Sequence, residues 1–321
     1  MLDKLNQHWR ARRVLLVGGA YGLTAFTAAL LTELGAKTAR IPCACSREAL
    51  FRALCAGRIS AVIVPELHAL CPTPDAPAQL AALDALMSEI REAGVPLTIL
   101  CSDAPVYRAQ QHPGYAREED PIGGQTHDGL LQSILQLYAD GVSRGLCGDA
   151  VRTLVLRHLP CLQCSEAYTG QYSQWCRALL AGEVVPVCRP SMQGVFVHPF
   201  DVVLGMLALG TRTLAGEDMD GGVFNLGAGA MSLCANRSAA LRLIARQGGK
   251  RPICERESPA GPAYPLPDGA KARLLTGCRC QFTGDEALDW LFELERAKLE
   301  GDPSFETALQ DQARRFLARL Q

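Results

Sequence analysis

The sequence predicts an α/β fold built on a doubly wound, mostly parallel sheet, with a smaller mixed α/β domain in its C-terminal part. The apolar run RVLLV at residues 13–17 ends at two glycines, which is typical of a buried strand. Apolar residues then recur at helical spacing from Leu23 to Leu34, and Gly35 ends that helix. Further apolar strands and amphipathic helices alternate along the chain, which indicates a parallel sheet with helices on both faces.

The remaining elements follow in chain order. The first half is predicted to continue with a second helix at residues 46–57, and then with a strand at 59–67, a helix at 79–94, a strand at 96–103, a helix at 127–142 and a strand at 151–158. The C-terminal part is predicted to contain a helix at 172–183, short strands at 184–188 and 194–199, a helix at 200–216 and a loop-rich stretch at 256–270. The last amphipathic stretch, 304–320, is interpreted as a solvated surface helix.

The composition is that of a globular protein with a sizeable core. Hydrophobic residues make up 48% of the 321 residues and charged residues 20%. The net charge of −1 gives no electrostatic footprint for nucleic acid or an anionic membrane. No apolar run is long enough to span a bilayer, and residues 1–13 lack the apolar centre of a signal peptide. We therefore expect a cytoplasmic protein with neither a nucleic-acid partner nor a membrane span.

Fourteen cysteines are many for a cytoplasmic protein. They include three close pairs, Cys43/Cys45, Cys161/Cys164 and Cys278/Cys280. A zinc site usually needs two CxxC-like pairs, and only Cys161 and Cys164 have that spacing. Disulfides are disfavoured because the cytosol is reducing. We interpret the cysteines as small buried hydrophobes and predict no metal site.

The glycine turn after the first strand is the candidate phosphate-binding element. Gly19, Gly22 and Ala25 give the spacing GxxGxxA between a strand and a helix. We expect Gly19 to allow the tight turn and Gly22 to let a pyrophosphate approach, with the helix amides from Leu23 onward facing the anion. This predicts NAD or NADP at Gly19, Gly22 and Leu23, and the alternative is a turn of the same fold that binds nothing.

Several further stretches occur in a recognisable order, namely GGAYGLTA, LCSDAPVY, GYAREEDPIGG, RALLAGEVVPV, FVHPFDVVLGMLALG and GGVFNLGAG. Together they resemble the extended short-chain dehydrogenases/reductases of the sugar-nucleotide epimerase and dehydratase type, with the CDP-glucose 4,6-dehydratases as the nearest group. The resemblance covers nearly the whole chain. It implies a Rossmann-like dinucleotide-binding domain of residues 1–160 and 194–228, and a smaller substrate-type domain of residues 161–193 and 229–321.

The resemblance also implies a reaction with definite chemical needs. A nicotinamide ring takes a hydride from C4 of the sugar, a tyrosinate removes the hydroxyl proton, and a lysine four residues later lowers the pKa of that tyrosine. In register, Asp128 stands near the tyrosine position and Gln132 near the lysine position. No lysine occurs between Lys37 and Lys250, and no tyrosine is followed four residues later by lysine. This chain alone therefore lacks the Tyr–Lys mechanism.

Other positions of the resemblance have changed as well. The lysine expected after Asp103 is Ala104, the expected asparagine is Pro160, and the arginine expected to bind the substrate phosphate is Gly194. His198 remains, and we interpret it as a structural histidine.

The cofactor contacts beyond the glycine turn are in doubt. The strand that usually carries the adenine-holding aspartate has no room between residues 57 and 59. No Asp or Glu follows the second strand, and the stretch AKTARIPCAC carries Arg40 instead, which could favour the 2′-phosphate of NADP or be a surface charge.

Ser102, Asp103 and Tyr107 are the candidates for catalysis, and Tyr107 is the sharpest because it follows the surviving Ser–Asp pair. A phenol without a neighbouring cation is a poor base at neutral pH, and the carboxylate of Asp103 can equally be a turn or helix cap. Further available groups are Cys101, Tyr115 and His127.

Three hypotheses remain open. The first is a non-catalytic binding or scaffolding subunit of polysaccharide or sugar-nucleotide metabolism. The second is an active NAD(P)-dependent dehydratase, epimerase or reductase that uses non-standard residues. The third is a subunit whose active site is completed by a partner chain. We expect a homodimer through the apolar faces of the helices at 79–94 and 127–142, or another protein partner.

Overall fold

The computed structural model describes residues 1–42, 47–67, 75–103, 106–108, 114–124, 127–143, 152–159, 161–162, 170–217, 219, 222–227, 233–257 and 265–321. Its strands are β1 (Arg13–Val17), β2 (Lys37–Ile41), β3 (Ala61–Val64), β4 (Thr98–Asp103), β5 (Tyr115–Ala116), β6 (Thr153–His158), β7 (Val185–Cys188), β8 (Gln193–Val195), β9 (Val223–Leu226), β10 (Leu233–Ala235), β11 (Ile253–Arg256) and β12 (Leu266–Pro267). Its helices are α1 (Leu2–Trp9), α2 (Gly22–Glu33), α3 (Arg47–Cys55), α4 (Ala76–Glu92), α5 (His127–Ser143), α6 (Gln171–Ala181), α7 (Pro199–Leu214), α8 (Asn236–Arg246), α9 (Ala270–Thr276), α10 (Gly284–Glu300) and α11 (Asp302–Arg319).

A six-stranded parallel sheet, in the order β2-β1-β3-β4-β6-β9, combines five strands from the first half of the chain with β9 from the second half. The α/β fold predicted from the sequence is confirmed, and the predicted strands and helices of the first half lie within a few residues of the observed ones. The strand order reverses at β1, which has β2 on one side and β3 on the other. In doubly wound sheets the carboxyl ends of the strands at such a point form a ligand-binding crevice.

The chain divides into two compact units. The first unit contains residues 1–159, 203–227 and 262–278, and the second contains residues 160–202, 228–261 and 279–321. The domain boundaries implied by the resemblance stay a prediction.

The sheet of the first unit is covered on both faces because its strand residues are apolar in both alternating sets. Leu15, Val62 and Leu100 face a buried cluster that includes side chains of α3, α4 and α5. On the other face, Cys101 of β4 contacts Met206 of α7 through their sulfur atoms. Most apolar residues that the sequence assigned to a dimer face, such as Leu83 and Leu135, belong to this buried core.

The N-terminal helix α1 was not predicted, and it is part of the same core. Trp9 is fully buried, and its indole Nε1 donates to the carbonyl of Leu207 at 3.2 Å and to Oγ1 of Thr211 at 3.0 Å. The helix therefore attaches to α7 through one aromatic side chain whose polar atom has a partner.

Strand β2 is an edge strand in the described part of the chain, which agrees with the missing strand inferred from the sequence. Its residues are exposed or half-buried, in contrast to the fully buried β3. The sheet thus lacks, among the described residues, a further strand beyond β2 that could contact an adenosine.

The second unit is built around an aromatic cluster. The imidazole of His198 stacks on Phe282 with ring centroids 3.9 Å apart, and Phe282 stacks on Phe316 of α11. Helix α11 buries one face that includes Phe305 and Phe316. The interpretation of residues 304–320 as a solvated surface helix is therefore wrong, because the apolar stripe of this helix packs into the core.

Two other predictions for the C-terminal part need correction. The strand expected at 194–199 is only Gln193–Val195, because helix α7 begins at Pro199, whose fixed φ suits the first turn of a helix. The stretch expected to be a loop at 256–270 contains the short strand β12, which pairs in parallel with β5.

Candidate functional site

Three polar side chains lie side by side at the carboxyl edge of the sheet. The strand register pairs Ser102 of β4 with Arg157 of β6, and Arg157 with Asn225 of β9. Each is buried, with at most 6% of its surface exposed. The parallel register therefore places a hydroxyl, a guanidinium and an amide in one row, at the edge where α/β folds hold their ligands.

Arg157 organises this row through hydrogen bonds from its guanidinium. Its Nε donates to Oε1 of Gln136 at 2.8 Å, and its Nη1 donates to the hydroxyl of Tyr107 at 2.9 Å and to the carbonyl of Glu118 at 3.1 Å. The guanidinium carbon also lies 5.1 Å from the centroid of the Tyr107 ring. A buried cation is thus held by uncharged acceptors and an aromatic ring.

Tyr107 has both hydrogen-bonding roles of its phenol filled. While accepting from Arg157, its hydroxyl donates to Oδ1 of Asn225 at 2.6 Å. Asn225 is held in turn, because its Nδ2 donates to the carbonyl of Ala116 and its backbone N–H donates to Oε1 of Glu118, both at 2.8 Å. Tyr107 is 1% exposed, so its hydroxyl is part of the interior.

The expectation that Tyr107 has no neighbouring cation is wrong, since Arg157 lies beside it. The cation does not make the phenol a base at neutral pH, however. Burial raises the pKa of Tyr107, and the charge and hydrogen bond of Arg157 offset only part of that rise.

Ser102 is also engaged in this network, because its Oγ accepts a hydrogen bond from Nε2 of Gln136. Cys101 beside it is fully buried, and burial, followed by the charge of Glu66, raises the pKa of its thiol far above the ordinary value. A neutral buried thiol is a poor nucleophile.

The structure describes only some of the other predicted acid–base side chains. Asp103 ends β4 with its backbone paired to His158, and His127 begins α5, but the side chains of Asp103, His127 and Asp128 lie outside the described residues. Tyr115 is 61% exposed on the short strand β5.

At the glycine turn, the backbone conformation that favours glycine occurs at Gly22 and not at Gly19, where the tight turn was predicted. It is Gly22 that adopts the left-handed conformation, with φ of 66°, whereas Gly19 has nearly open space beside it. Leu23 is fully buried. The guanidinium of Arg40 donates to the carbonyl of Ala20 at 3.4 Å, so the structure brings Arg40 and the turn together.

A side chain of the protein itself lies against Gly22. Both carboxylate oxygens of Glu66 are 2.7 Å from the position that a Cβ on Gly22 would take, and Oγ1 of Thr24 donates to Oε2 of Glu66 at 3.4 Å. The close approach that the glycine permits is therefore used by a carboxylate. A pyrophosphate at the same turn would meet a group of its own charge, so these residues do not fit the dinucleotide that the fold implies.

In the second unit, Gly194 occupies a closed position. A Cβ there would meet the hydroxyl of Tyr172 at 2.6 Å and the ring of Phe196 at 2.9 Å. His198 is 1% exposed, its Nδ1 accepts from the backbone N–H of Phe200 at 3.1 Å, and burial lowers its pKa well below the ordinary value. His198 is thus a buried structural histidine, as expected from the sequence.

Within the described ranges, no group of three or more His, Cys, Asp or Glu side chains could hold a metal ion. The described helices include none of the length and apolarity needed to cross a membrane.

Solved structures similar to this chain include two epimerases and a dehydratase. The UDP-glucose 4-epimerase of Thermotoga maritima superimposes with a TM-score of 0.73 at 19% identity, covering 90% of this chain and 100% of that one. An epimerase of Methanothermobacter thermautotrophicus gives 0.77 at 16% identity, with 93% and 96% covered. The dTDP-glucose 4,6-dehydratase of Streptomyces venezuelae, solved with NAD, gives 0.69 at 16% identity, with 91% and 99% covered.

This chain has the fold of the sugar-nucleotide epimerases and dehydratases. The resemblance inferred from the sequence is thereby confirmed at the level of the fold. No protein-family model and no curated protein matches the sequence. At such low identity the shared fold does not carry the activity of these enzymes to this chain.

Sequence reasoning assigned no role to Arg157 and Glu66, nor to Gln136 and Asn225. Arg157 had a signal, since a charged residue one position before the end of an apolar strand needs a buried partner. Glu66 follows β3 by two residues, but its reach to the turn depends on the β1–β3 pairing, which the sequence did not specify.

Proposed function

We propose that this chain is a non-catalytic member of the sugar-nucleotide epimerase and dehydratase fold, acting as a binding or scaffolding subunit in sugar-nucleotide metabolism. The proposed location is the cytoplasm. The proposal has two parts, namely the loss of the acid–base groups that the reaction needs and the retention of surfaces that can bind a ligand or a partner.

The observation that carries the proposal is the closed network around Arg157. Two candidate acid–base groups at the sheet edge whose side chains the structure describes, Ser102 and Tyr107, are buried and bonded to Gln136, Arg157 and Asn225. A general base must reach the proton that it removes, and it must be able to accept that proton near neutral pH. The phenol of Tyr107 meets neither need.

The change on α5 points the same way. Its buried side carries Gln132, Ser133 and Gln136, which are neutral side chains. Oγ of Ser133 donates to the carbonyl of Gly129 at 2.7 Å and accepts from the backbone N–H of Gly124 at 3.2 Å. In the described part of this helix, these neutral buried side chains support the proposal that the catalytic pair has been lost.

A partner chain remains the second candidate, and one observation favours it. Leu130 and Leu137 of α5 are 52% and 61% exposed and lie seven residues apart, so they share one face of the helix. We propose that this face pairs with α5 of a second copy. In that arrangement a partner could contribute groups that this chain lacks.

Turnover and binding should be measured on the same preparation. The protein is incubated with NAD or NADP and with UDP-glucose, dTDP-glucose or CDP-glucose, and the sugars are followed by NMR for epimerisation or 4,6-dehydration. We expect binding of a sugar nucleotide or of a protein partner without any conversion. Conversion by the purified chain alone would overturn the proposal.

A further inference from the structure

We propose that Glu66 occupies the place of the dinucleotide pyrophosphate at the glycine turn, so that this chain excludes NAD and NADP. The inference goes beyond the proposed function, because a non-catalytic subunit could keep a tightly bound dinucleotide. It concerns the cofactor turn alone.

The position of Glu66 follows from the strand order. Strands β1 and β3 are neighbours, with Leu16 of β1 in register with Ile63 of β3. The turn that follows β1 and the segment that follows β3 therefore lie beside each other, at the point where the strand order reverses. Glu66 projects from that segment into the crevice that dinucleotides use in folds of this class.

Contact distances show how closely the carboxylate occupies the turn. Gly22 has φ of 66° and no side chain, which leaves its Cα open to approach from one side. The carboxylate of Glu66 fills that side, with both oxygens 2.7 Å from the position that a Cβ would take. Thr24, in the first turn of α2, adds a hydrogen bond from its hydroxyl at 3.4 Å.

The charge of Glu66 suits this position. The free amides at the start of a helix favour an anion. Helix α2 has no acidic residue in its first turn, and its N-terminal cap residue, Tyr21, makes no side-chain cap bond. A carboxylate from another segment supplies the negative charge that the helix lacks, and it does so without a ligand.

The same charge opposes a phosphate. A pyrophosphate brought to α2 would face Glu66 at a few ångströms in a partly enclosed crevice, where like charges repel strongly. The fully buried Cys101 also senses the charge of Glu66, which adds to the effect of burial in raising the pKa of the thiol. The contacts with Gly22 and Thr24 place this half-buried carboxylate at the turn itself.

The test compares NAD and NADP binding by isothermal titration calorimetry for the wild type, Glu66→Ala and Glu66→Gln. We expect no saturable binding to the wild type at millimolar dinucleotide. Glu66→Ala removes both the charge and the bulk, and its affinity for NAD should be at least about tenfold higher than that of the wild type. Glu66→Gln removes only the charge and should give a smaller gain.

Glu300→Gln is the matched control, because it removes an exposed glutamate of the second unit and should bind no better than the wild type. Circular dichroism establishes that each variant is folded. Micromolar binding of NAD or NADP by the wild type would overturn the proposal whether or not the variants fold. It would also be overturned if a folded Glu66→Ala or Glu66→Gln variant bound no more tightly than Glu300→Gln.

The outcome is separable from the proposed function. If the wild type binds NAD but converts no sugar nucleotide, the inference about Glu66 is overturned and the non-catalytic proposal stands. Sugar conversion without the exclusion of NAD would remove both.

Discussion

The hydroxyl of Tyr107 lies 2.9 Å from Nη1 of Arg157 in the interior of the first unit. A tyrosine beside a cation can be a catalytic arrangement, because the positive charge stabilises the phenolate. In this protein the pair is enclosed, and the hydroxyl of Tyr107 donates a hydrogen bond to Oδ1 of Asn225 at 2.6 Å. We therefore expect the contact between Tyr107 and Arg157 to stabilise the fold, and its loss to lower the free energy of unfolding.

Replacing Arg157 should destabilise the protein strongly. Arg157→Met leaves the hydroxyl of Tyr107, Oε1 of Gln136 and the carbonyl of Glu118 without their common donor. We expect the free energy of unfolding in urea to fall by about 2–4 kcal/mol. Arg152→Met is the control, because Arg152 is exposed and, within the described residues, its side chain donates to the carbonyl of Thr213 at 3.0 Å. A loss for Arg157→Met no larger than that of the control would contradict the structural role.

Removing the hydroxyl of Tyr107 should also destabilise the fold. Tyr107→Phe takes one partner from Arg157 and one from Asn225, and we expect a loss of about 1–3 kcal/mol in the same unfolding measurement. Tyr115→Phe, at a ring that is 61% exposed, should change stability by less than about 0.5 kcal/mol. Equal stabilities of the two variants would show that the buried bonds contribute nothing.

Asp201 should make stability depend on pH. Burial raises the pKa of its carboxyl to about 7, although its hydrogen bonds from Gln281 and Phe282 act in the opposite direction. The folded state therefore favours the protonated form, and this contribution is complete below the ordinary pKa of about 4 and is lost as the pH rises to about 7.

Asp201→Asn isolates this effect, since an amide stays neutral across the range. The free energy of unfolding of the wild type, taken relative to Asp201→Asn, should fall as the pH rises from about 4 to about 7, by no more than about 4 kcal/mol. Urea unfolding at several pH values measures the difference. A difference that stays constant, or that rises with pH, would contradict the assignment.

The N-terminal helix should be essential to the first unit. Trp9→Ala removes a fully buried indole, and we expect a loss of about 3–5 kcal/mol in the free energy of unfolding. Trp9→Phe keeps most of the apolar contact but loses the bonds from Nε1 to Leu207 and Thr211, so its loss should be smaller. If both variants were as stable as the wild type, α1 would not belong to the core.

The central sheet could be predicted because its signals are local. Strand β1 is an apolar run that ends at glycines, and α2 and α5 carry apolar residues at helical spacing. Helix α1 is short and mostly polar, and the contacts of Trp9 with Leu207 and Thr211 join residues about two hundred positions apart. No local pattern reports such a contact.

The site was harder to predict for the same reason. The absence of any lysine between Lys37 and Lys250 could be seen directly in the sequence. The row of Ser102, Arg157 and Asn225 arises from the register of three strands, which aligns residues far apart in the chain. The contact between Gly22 and Glu66 could not be predicted, because Glu66 follows another strand.

The most direct test of the account is to purify the native protein, denature it and identify any released nucleotide by mass spectrometry. We expect neither NAD nor NADP, because Glu66 fills the turn and no Tyr–Lys pair is present to use the dinucleotide. A released sugar nucleotide alone would agree with a binding subunit. NAD or NADP released in amounts comparable to the protein would contradict the account. A cofactor-dependent activity would then be expected of this chain.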